Sequence, residues 1–353
     1  MVFHHCFWSS KLYEGYQVSF IPFAEQTIVN IAGAGKICVS IFAFISGYGL
    51  YLNYGSADKQ QFDGETGKAT LWTLHRYIAT FSGYWFVWIL STILTQLINE
   101  RAEKVFLGDG LYRGFIYLTL DFFGLAKLFE TPSLNNDWWY MSAAIVFIAL
   151  VPLLYRLRKN ILLILLWVVL FLRVIHGHNG EGVFTGWTSI YVFIPIFIMG
   201  FIFAHYRLFD RIAGICRNEK LWMRILILIC LCWILLLLYK MYFNTPISLF
   251  WEIHYALFPV ILIVLCVEYI IPIMAIKRIL AFFGKHASNI YFVHAFIRTY
   301  CLHDITYSRG HFLLVYSFLL FTSLGISLLL EWMKTILNYN SLLERLSEIL
   351  RAN

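Results

Sequence analysis

Two adjacent histidines, His4 and His5, lie within an apolar stretch at the start of the chain. An imidazole next to hydrocarbon is energetically costly, so a membrane segment that keeps one usually has a use for it. Imidazole is also the side chain best suited to accept a proton from a hydroxyl near neutral pH. The pair therefore predicts a site of proton transfer at the edge of a membrane.

The composition indicates which elements position these histidines. Hydrophobic residues make up 60% of the chain and charged residues only 13%, whereas soluble domains carry about 25% charged residues. Many apolar stretches approach or reach the roughly 20 residues that a bilayer helix needs. They cover residues 28–54, 77–98, 137–155, 161–175, 184–205, 221–243, 250–274, 287–305 and 312–333. We therefore predict an all-α, polytopic membrane protein of about ten transmembrane helices.

Basic residues indicate how these helices are oriented. Lys and Arg cluster in alternate loops, at residues 155–159, 207–224 and 277–285, and are nearly absent from the loops between them. Because cytoplasmic loops carry such an excess, we place these loops and the C-terminal tail in the cytoplasm. The net charge of +7 is then an orientation signal, and no nucleic-acid partner is predicted.

Two segments differ from ordinary spans. Residues 111–129 form a moderately apolar run broken by charged residues, which predicts a re-entrant or interfacial segment. The first helix has eight residues before polar Ser9, about 12 Å of helix, so we expect it to be truncated. Residues 1–336 are assigned to one integral membrane domain, and residues 337–353 to a cytoplasmic amphipathic tail.

Five short motifs follow one another along the chain. They are Phe3-His4-His5, Val39-Ser40-Ile41-Phe42-Ala43-Phe44-Ile45-Ser46-Gly47-Tyr48, His75-Arg76-Tyr77-Ile78, Asp137-Trp138-Trp139-Tyr140-Met141 with the later Val151-Pro152-Leu153-Leu154, and Ala287-Ser288-Asn289-Ile290-Tyr291-Phe292-Val293-His294. In this order they resemble the acyltransferase 3 family of integral membrane acyltransferases, over nearly the whole chain. That family pairs the first-helix histidine with an arginine eleven residues earlier, which here would precede Met1.

The resemblance implies that His4, rather than His5, is the general base of an acyl transfer. A positioned base accelerates attack by a hydroxyl by roughly 10²–10⁴-fold. Arg76 either binds the phosphates of acyl-CoA through its guanidinium or anchors its helix at the membrane surface. Ser46 is the one candidate acyl carrier, although beside Gly47 it equally suits a close helix contact.

The remaining candidates bind donor or acceptor. Trp139 and Tyr140 either line an acceptor channel or belong to the aromatic belt at the membrane interface. His5, Tyr291 and His294 are further substrate-binding candidates, with a structural hydrogen bond as the alternative for the two histidines. The seven cysteines show no C-x-x-C spacing, and no metal site is predicted.

The resemblance also implies the reaction and its setting. The expected enzyme is a multi-pass O-acyltransferase of a bacterial plasma membrane, in contact with membrane lipids and without a bound cofactor. It would move an acetyl or other short acyl group from acetyl-CoA, or another acyl-CoA, to a hydroxyl of a cell-surface or exopolysaccharide glycan or a lipid-linked saccharide. The alternative is a non-catalytic membrane component or a transporter of a polysaccharide assembly system. The transporter would need intramembrane acidic residues, and these are few: Asp121, Glu252 and Glu268.

Overall fold

The computed structural model describes residues 1–59, 65–177, 188–244 and 253–352. Within these residues the chain is helical, and the strand-like contact it shows is a single bridge between Ser19 and His311. The helices are, in chain order, α1 (Val2–Phe7), α2 (Glu25–Ala34), α3 (Ile37–Lys59), α4 (Glu65–Asn99), α5 (Arg101–Phe106), α6 (Leu111–Phe122), α7 (Tyr140–Arg156), α8 (Ile161–Gly177), α9 (Thr188–Tyr191), α10 (Ile194–His205), α11 (Leu208–Asn218), α12 (Leu221–Asn244), α13 (Phe258–Leu265), α14 (Met274–Phe296), α15 (His303–Tyr307), α16 (Phe312–Ile336) and α17 (Tyr339–Ala352). The predicted all-α class is confirmed.

Tighter and wider turns extend several of these helices. Short 3₁₀ turns lie at Ser10–Tyr13, Asn136–Trp139 and Arg158–Asn160, and π-helical turns at Ile253–Leu257, Cys266–Ile270 and Ile297–Cys301. The last of these continues α14 beyond its final α-helical residue. Because π-helical turns are rare and are frequent at functional sites, this extension of α14 is a candidate part of a site.

Five helical segments in the described part of the chain are long and apolar enough to cross a bilayer. They are Glu25–Ser56, Ala69–Asn99, Asn136–Arg156, Leu221–Met241 and Phe312–Ile336. Shorter apolar helices occur at Ile194–His205 and Tyr255–Ile270. A polytopic membrane protein is therefore confirmed, while the total of about ten spans stays a prediction.

The α6 helix is the helical part of residues 111–129, the segment expected to be re-entrant or interfacial. Its 12 residues extend about 18 Å, less than the roughly 30 Å of a hydrocarbon core. Leu111 and Phe115 are exposed on it. At its other end the carboxylate of Asp121 accepts hydrogen bonds from Trp88 Nε1 at 2.8 Å and the Leu134 backbone N–H at 3.0 Å. The helix thus has one apolar face outward and one polar end fixed to protein.

One compact unit comprises Gly33–Gln61 and Leu150–Phe283. Its central contact is between α3 and α10, whose backbones touch at glycines. A Cβ on Gly47 would lie 2.0 Å from the carbonyl oxygen of Phe197, and one on Gly200 would lie 2.0 Å from that of Phe44. Small residues allow such close approach of helices in lipid. The position of Gly47 therefore agrees with the interpretation of Ser46-Gly47 as a close helix contact.

The other compact unit comprises Val2–Ala32, Phe62–Ala149 and Gly284–Asn353. Within it, α1 packs on α16 through aromatic rings, with Phe3 and Tyr316 at 5.5 Å between centroids. This unit contains both N-terminal histidines and the late motif of α14. The candidate site below lies entirely inside it.

A polar network, buried except for the half-exposed side chain of Glu331, fixes α14 against α16 in the second unit. Glu331 accepts hydrogen bonds from Asn289 Nδ2 at 2.8 Å and from Lys334 Nζ at 2.7 Å. One turn away, His286 Nδ1 and Ser327 Oγ are 2.9 Å apart. Paired buried groups of this kind rigidify a core, so the network holds the register of the helix that carries Tyr291 and His294.

Candidate active site

His4 is held by the backbone of α2. Its Nδ1 lies 2.7 Å from the carbonyl oxygen of Ala32, and its ring stacks against Trp8 at 6.2 Å between centroids. A carbonyl oxygen can only accept, so we assign the proton to Nδ1, and Nε2 is then the basic nitrogen. A hydrogen bond at one ring nitrogen is what sets the tautomer of a working histidine.

His5 points to different partners, because successive residues on a helix are about 100° apart. Its Nδ1 lies 3.8 Å from the Asp137 carboxylate, and its ring lies 4.9 Å from that of His294. The rings of His4 and His5 are 5.1 Å apart. Three imidazoles, His4, His5 and His294, and one carboxylate therefore form a continuous cluster, although some 290 residues of sequence separate its ends.

His294 is completely buried on α14. Its Nδ1 lies 2.8 Å from the carbonyl oxygen of Ile290 and 2.9 Å from that of Tyr291, so Nδ1 carries the proton. Its Nε2 is buried without a hydrogen-bond partner among the described residues. Such an atom costs about 1–3 kcal/mol, and natural proteins keep few of them without a reason.

Arg298 is the member of the cluster that the sequence interpretation missed. It lies on the π-helical turn after α14, it is 7% exposed, and its guanidinium donates to the backbone carbonyl of His5 and to Thr299 Oγ1. A signal was available, because Arg298 stands within the apolar run 287–305. An arginine inside a membrane segment is a site candidate in its own right.

The segment before α7 is fastened to α14 beside the histidines. The hydroxyl of Tyr291 donates to the backbone carbonyl of Asp137, and Trp138 Nε1 donates to the carbonyl of Phe292 at 2.9 Å. Trp138 is buried. These bonds set the position of Asp137 relative to His5 and give Tyr291 a positioning role.

Trp139 and Tyr140 continue the same aromatic group. The Tyr140 ring lies 6.4 Å from that of Tyr291, and the Trp139 ring lies 6.0 Å from that of Tyr140. Both side chains are partly exposed. Tyr140 therefore contacts the cluster through Tyr291, and Trp139 contacts it through Tyr140.

The structure does not bring Arg76 to the histidines. Arg76 lies eight residues, or about 12 Å of helix, before Tyr84, the residue of α4 whose ring packs at 5.4 Å on Trp138. Its Nε is buried and has no hydrogen-bond partner in the part of the chain that is described. Its proposed contact with acyl-CoA stays a prediction, as does the acyl-carrier role of Ser46, which belongs to the other compact unit.

Metal binding is a second kind of chemistry that neighbouring histidines can support. Among residues 1–59, 65–177, 188–244 and 253–352, no group of three His, Cys, Asp or Glu side chains could hold a metal ion. The cluster of three imidazoles, a carboxylate and a guanidinium is suited instead to accepting and returning protons.

Similarity to known proteins agrees with this chemistry. The model of the acyltransferase 3 family, described as an acyltransferase domain, matches residues 1–332. Comparisons with curated proteins and with solved structures found no match. The five motifs and the whole histidine cluster lie within the matched residues, so the chain belongs to the acyltransferase 3 family and is a membrane acyltransferase.

Proposed function

We propose that the protein is an O-acyltransferase that moves an acetyl or other short acyl group from acyl-CoA to a hydroxyl of a cell-surface or exopolysaccharide glycan. Acetyl-CoA is the expected donor, and the bacterial plasma membrane is the expected location. Besides the family, one observation carries the proposal: the 2.7 Å hydrogen bond from His4 Nδ1 to the Ala32 carbonyl. It leaves Nε2 as the nitrogen that takes up a proton.

The proposed reaction uses His4 as general base and then as general acid. Its Nε2 takes the proton of the acceptor hydroxyl while that oxygen forms a bond to the thioester carbonyl carbon. The tetrahedral intermediate collapses by breaking the carbon–sulfur bond, and the CoA sulfur receives the proton back from His4. The products are an ester and free CoA thiol, so the base is restored without any other reactant.

The neighbours of His4 support this assignment. During transfer its ring becomes positively charged, and the Asp137 carboxylate, 3.8 Å from the adjacent His5, brings negative charge to the cluster. Opposite charges attract more strongly in a low-dielectric environment than in water. The Asp137 carboxylate therefore offsets part of the positive charge of buried Arg298, which donates to the backbone carbonyl of His5.

A transporter would need intramembrane acidic residues that are available for ion coupling. The described part of the chain contains two of the three candidates, Asp121 and Glu268. The Asp121 carboxylate already accepts hydrogen bonds from Trp88 and Leu134, which is a structural task. Glu268 lies on a π-helical turn and is buried, and Glu252 lies outside the described residues. The structural task of Asp121 counts against the transporter, Glu268 does not, and the family match favours the enzyme.

The test compares His4→Asn with His5→Asn in cells that express the full chain. Asparagine keeps a donor near the position of Nδ1, so the His4→Asn protein can still reach the Ala32 carbonyl but has no base. We expect His4→Asn to lower the O-acetyl content of surface polysaccharide, and CoA release by isolated membranes, by roughly 10²–10⁴-fold. His5→Asn should reduce both less.

Protein abundance in the membrane is the control for both variants. Unchanged acetylation by His4→Asn would remove His4 from the mechanism. If cells with the unmodified protein acetylate no more polysaccharide than cells without it, the result contradicts the enzyme and favours the non-catalytic alternative.

A further inference from the structure

A cavity of about 940 Å³ lies in the second unit, directly after the helix that carries His4. Residues 10–20 form most of its wall, and Glu25 and Gly310 complete it. Ligand sites usually measure about 300–1,000 Å³, so this cavity is at the upper end of that range. It is large enough for a chain of several sugar rings rather than one small molecule.

The wall of the cavity is fastened to the segment around α15. The backbone of Ser19 donates to the carbonyl of Gly310 at 2.8 Å and accepts from the N–H of Phe312 at 3.0 Å. On the other side, His303 Nε2 lies 3.1 Å from the Leu12 carbonyl. The cavity is therefore built by hydrogen bonds between two distant parts of the chain and does not depend on one loop alone.

The lining combines aromatic rings with a few polar groups. Tyr16 contributes a partly exposed ring whose hydroxyl donates to Asp304, and buried Tyr13 donates to Glu25 Oε1 at 2.7 Å. Glu14 and Lys11 add exposed polar ends. Carboxylates accept hydrogen bonds from hydroxyls, lysine donates to ring and hydroxyl oxygens, and tyrosine does both.

The charges indicate the class of ligand. Two carboxylates against one ammonium make the lining unsuitable for a polyphosphate or another multiply charged anion. Aromatic faces with scattered acceptors and donors suit a neutral, polyhydroxylated chain. The same charges disfavour the donor CoA with its phosphates.

The cavity is also close to the proposed base along the chain. Ser10, at its edge, is six residues after His4, which is at most about 20 Å even for extended chain. Residues 304–311, which include most of α15 and brace the cavity, have few basic residues, so the charge pattern places them outside the cytoplasm. A saccharide seated in the cavity would therefore approach His4 from the side opposite to cytoplasmic acyl-CoA.

We propose that this cavity is the acceptor subsite, which binds a neutral saccharide chain whose hydroxyl is acylated at His4. The assignment rests on the proposed function, but binding can be measured without catalysis. The probe is surface polysaccharide of the expressing cells, freed of O-acetyl groups by mild alkali. Its binding to purified full-length His4→Asn protein reports on the cavity alone.

The variant is Ser10→Trp, which fills the cavity from an exposed position, and the matched control is Ser308→Trp, which adds the same bulk at an exposed position outside the lining. We expect Ser10→Trp to weaken polysaccharide binding at least tenfold in the His4→Asn protein. In the otherwise unmodified enzyme it should raise the KM for polysaccharide similarly and leave the KM for acetyl-CoA unchanged. Ser308→Trp should change none of these values.

Binding that is absent from the His4→Asn protein, or equal in the two tryptophan variants, would overturn the acceptor subsite. Failure of the proposed function has a different signature: the unmodified protein would bind polysaccharide at the cavity, sensitive to Ser10→Trp, and yet release no CoA in its presence. A rise in the KM for acetyl-CoA alone would assign the cavity to the donor and would also overturn the proposal.

Discussion

Arg298 donates a hydrogen bond to the backbone carbonyl of His5 and so ties the π-helical turn after α14 to the helix that carries the proposed base. The same guanidinium donates to Thr299 Oγ1 at 3.0 Å. One buried side chain thus joins residues 293 positions apart. The position of the two histidines depends on an arginine that takes no part in the proton transfer as proposed.

We predict that Arg298→Met destabilises the protein and lowers acyl transfer together. It leaves the His5 carbonyl without its donor, a loss of about 1–3 kcal/mol. Arg298→Lys should recover part of the stability and part of the acyl-transfer rate. Its ammonium can reach the His5 carbonyl but cannot reproduce the planar set of donors of the guanidinium. Thermal unfolding in detergent and CoA release are the measurements. Arg309→Met, at an exposed position, is the control, and an equal unfolding temperature for Arg298→Met and Arg309→Met would contradict the prediction.

His294 allows stability and function to be separated. Its buried Nε2 has no partner among the described residues, so replacing the ring by an apolar side chain of similar size removes an unfavourable group. We expect His294→Leu to unfold at the same temperature as the unmodified protein or higher, and to transfer acyl groups at least tenfold more slowly. Normal transfer by His294→Leu would mean that this histidine is only part of the core.

The histidine cluster shows what the sequence could and could not supply. The motifs containing His4 and His294 were identified from their order along the chain, but no spacing rule relates residues separated by 290 positions. Their contact is a product of tertiary packing. Likewise, the Asp137 carboxylate was seen only as part of an aromatic motif, and its approach to His5 depends on the bond between its backbone and Tyr291.

The helices themselves were largely predictable, because apolar length is a direct consequence of bilayer thickness. The predicted apolar run 28–54 lies within one candidate span, Glu25–Ser56, and what the sequence did not show is the break between Ala34 and Ile37. The acceptor cavity was not anticipated at all. Residues 10–20 have no hydrophobic periodicity, and their arrangement follows from hydrogen bonds to a segment at the other end of the chain.

The α3–α10 contact distinguishes a packing glycine from an acyl carrier within one motif. Because a Cβ on Gly47 would lie 2.0 Å from the Phe197 carbonyl oxygen, Gly47→Ala should force the helices apart and lower the unfolding temperature sharply. Gly49→Ala, on the same helix with nothing within 4 Å, should be neutral or stabilising by up to about 1 kcal/mol.

Ser46→Ala is the companion variant for catalysis. If transfer is direct, as in the proposed reaction, Ser46→Ala should release CoA within a factor of two of the rate of the unmodified protein. Its unfolding temperature should change by no more than about 2 °C. Ser46 is partly exposed, and a serine-to-alanine change at such a position in a helix has a small effect on stability. Loss of transfer with normal stability would instead make Ser46 the acyl carrier.

The bond between Tyr16 and Asp304 at the cavity makes a prediction about pH. The Tyr16 hydroxyl donates to the Asp304 carboxylate and holds the pKa of that carboxyl below its ordinary value, while the same bond, with some burial, raises the pKa of the Tyr16 hydroxyl. A lowered carboxyl pKa contributes stability above the ordinary value of about 4, lost as pH falls through the folded pKa. A raised tyrosine pKa contributes stability below about 10, lost as pH rises through the folded pKa.

The bond should therefore stabilise residues 10–20 across the whole neutral pH range and weaken only at low and at high pH. We expect amide hydrogen exchange in this segment to be faster in Tyr16→Phe than in the unmodified protein from about pH 5 to pH 9, with the difference shrinking below about pH 4. His303, whose Nδ1 lies 3.6 Å from the same carboxylate, is present in both proteins, so the difference isolates the tyrosine hydroxyl. A difference that persisted unchanged at pH 3 would show that the ring of Tyr16, and not its bond to Asp304, supports the cavity wall.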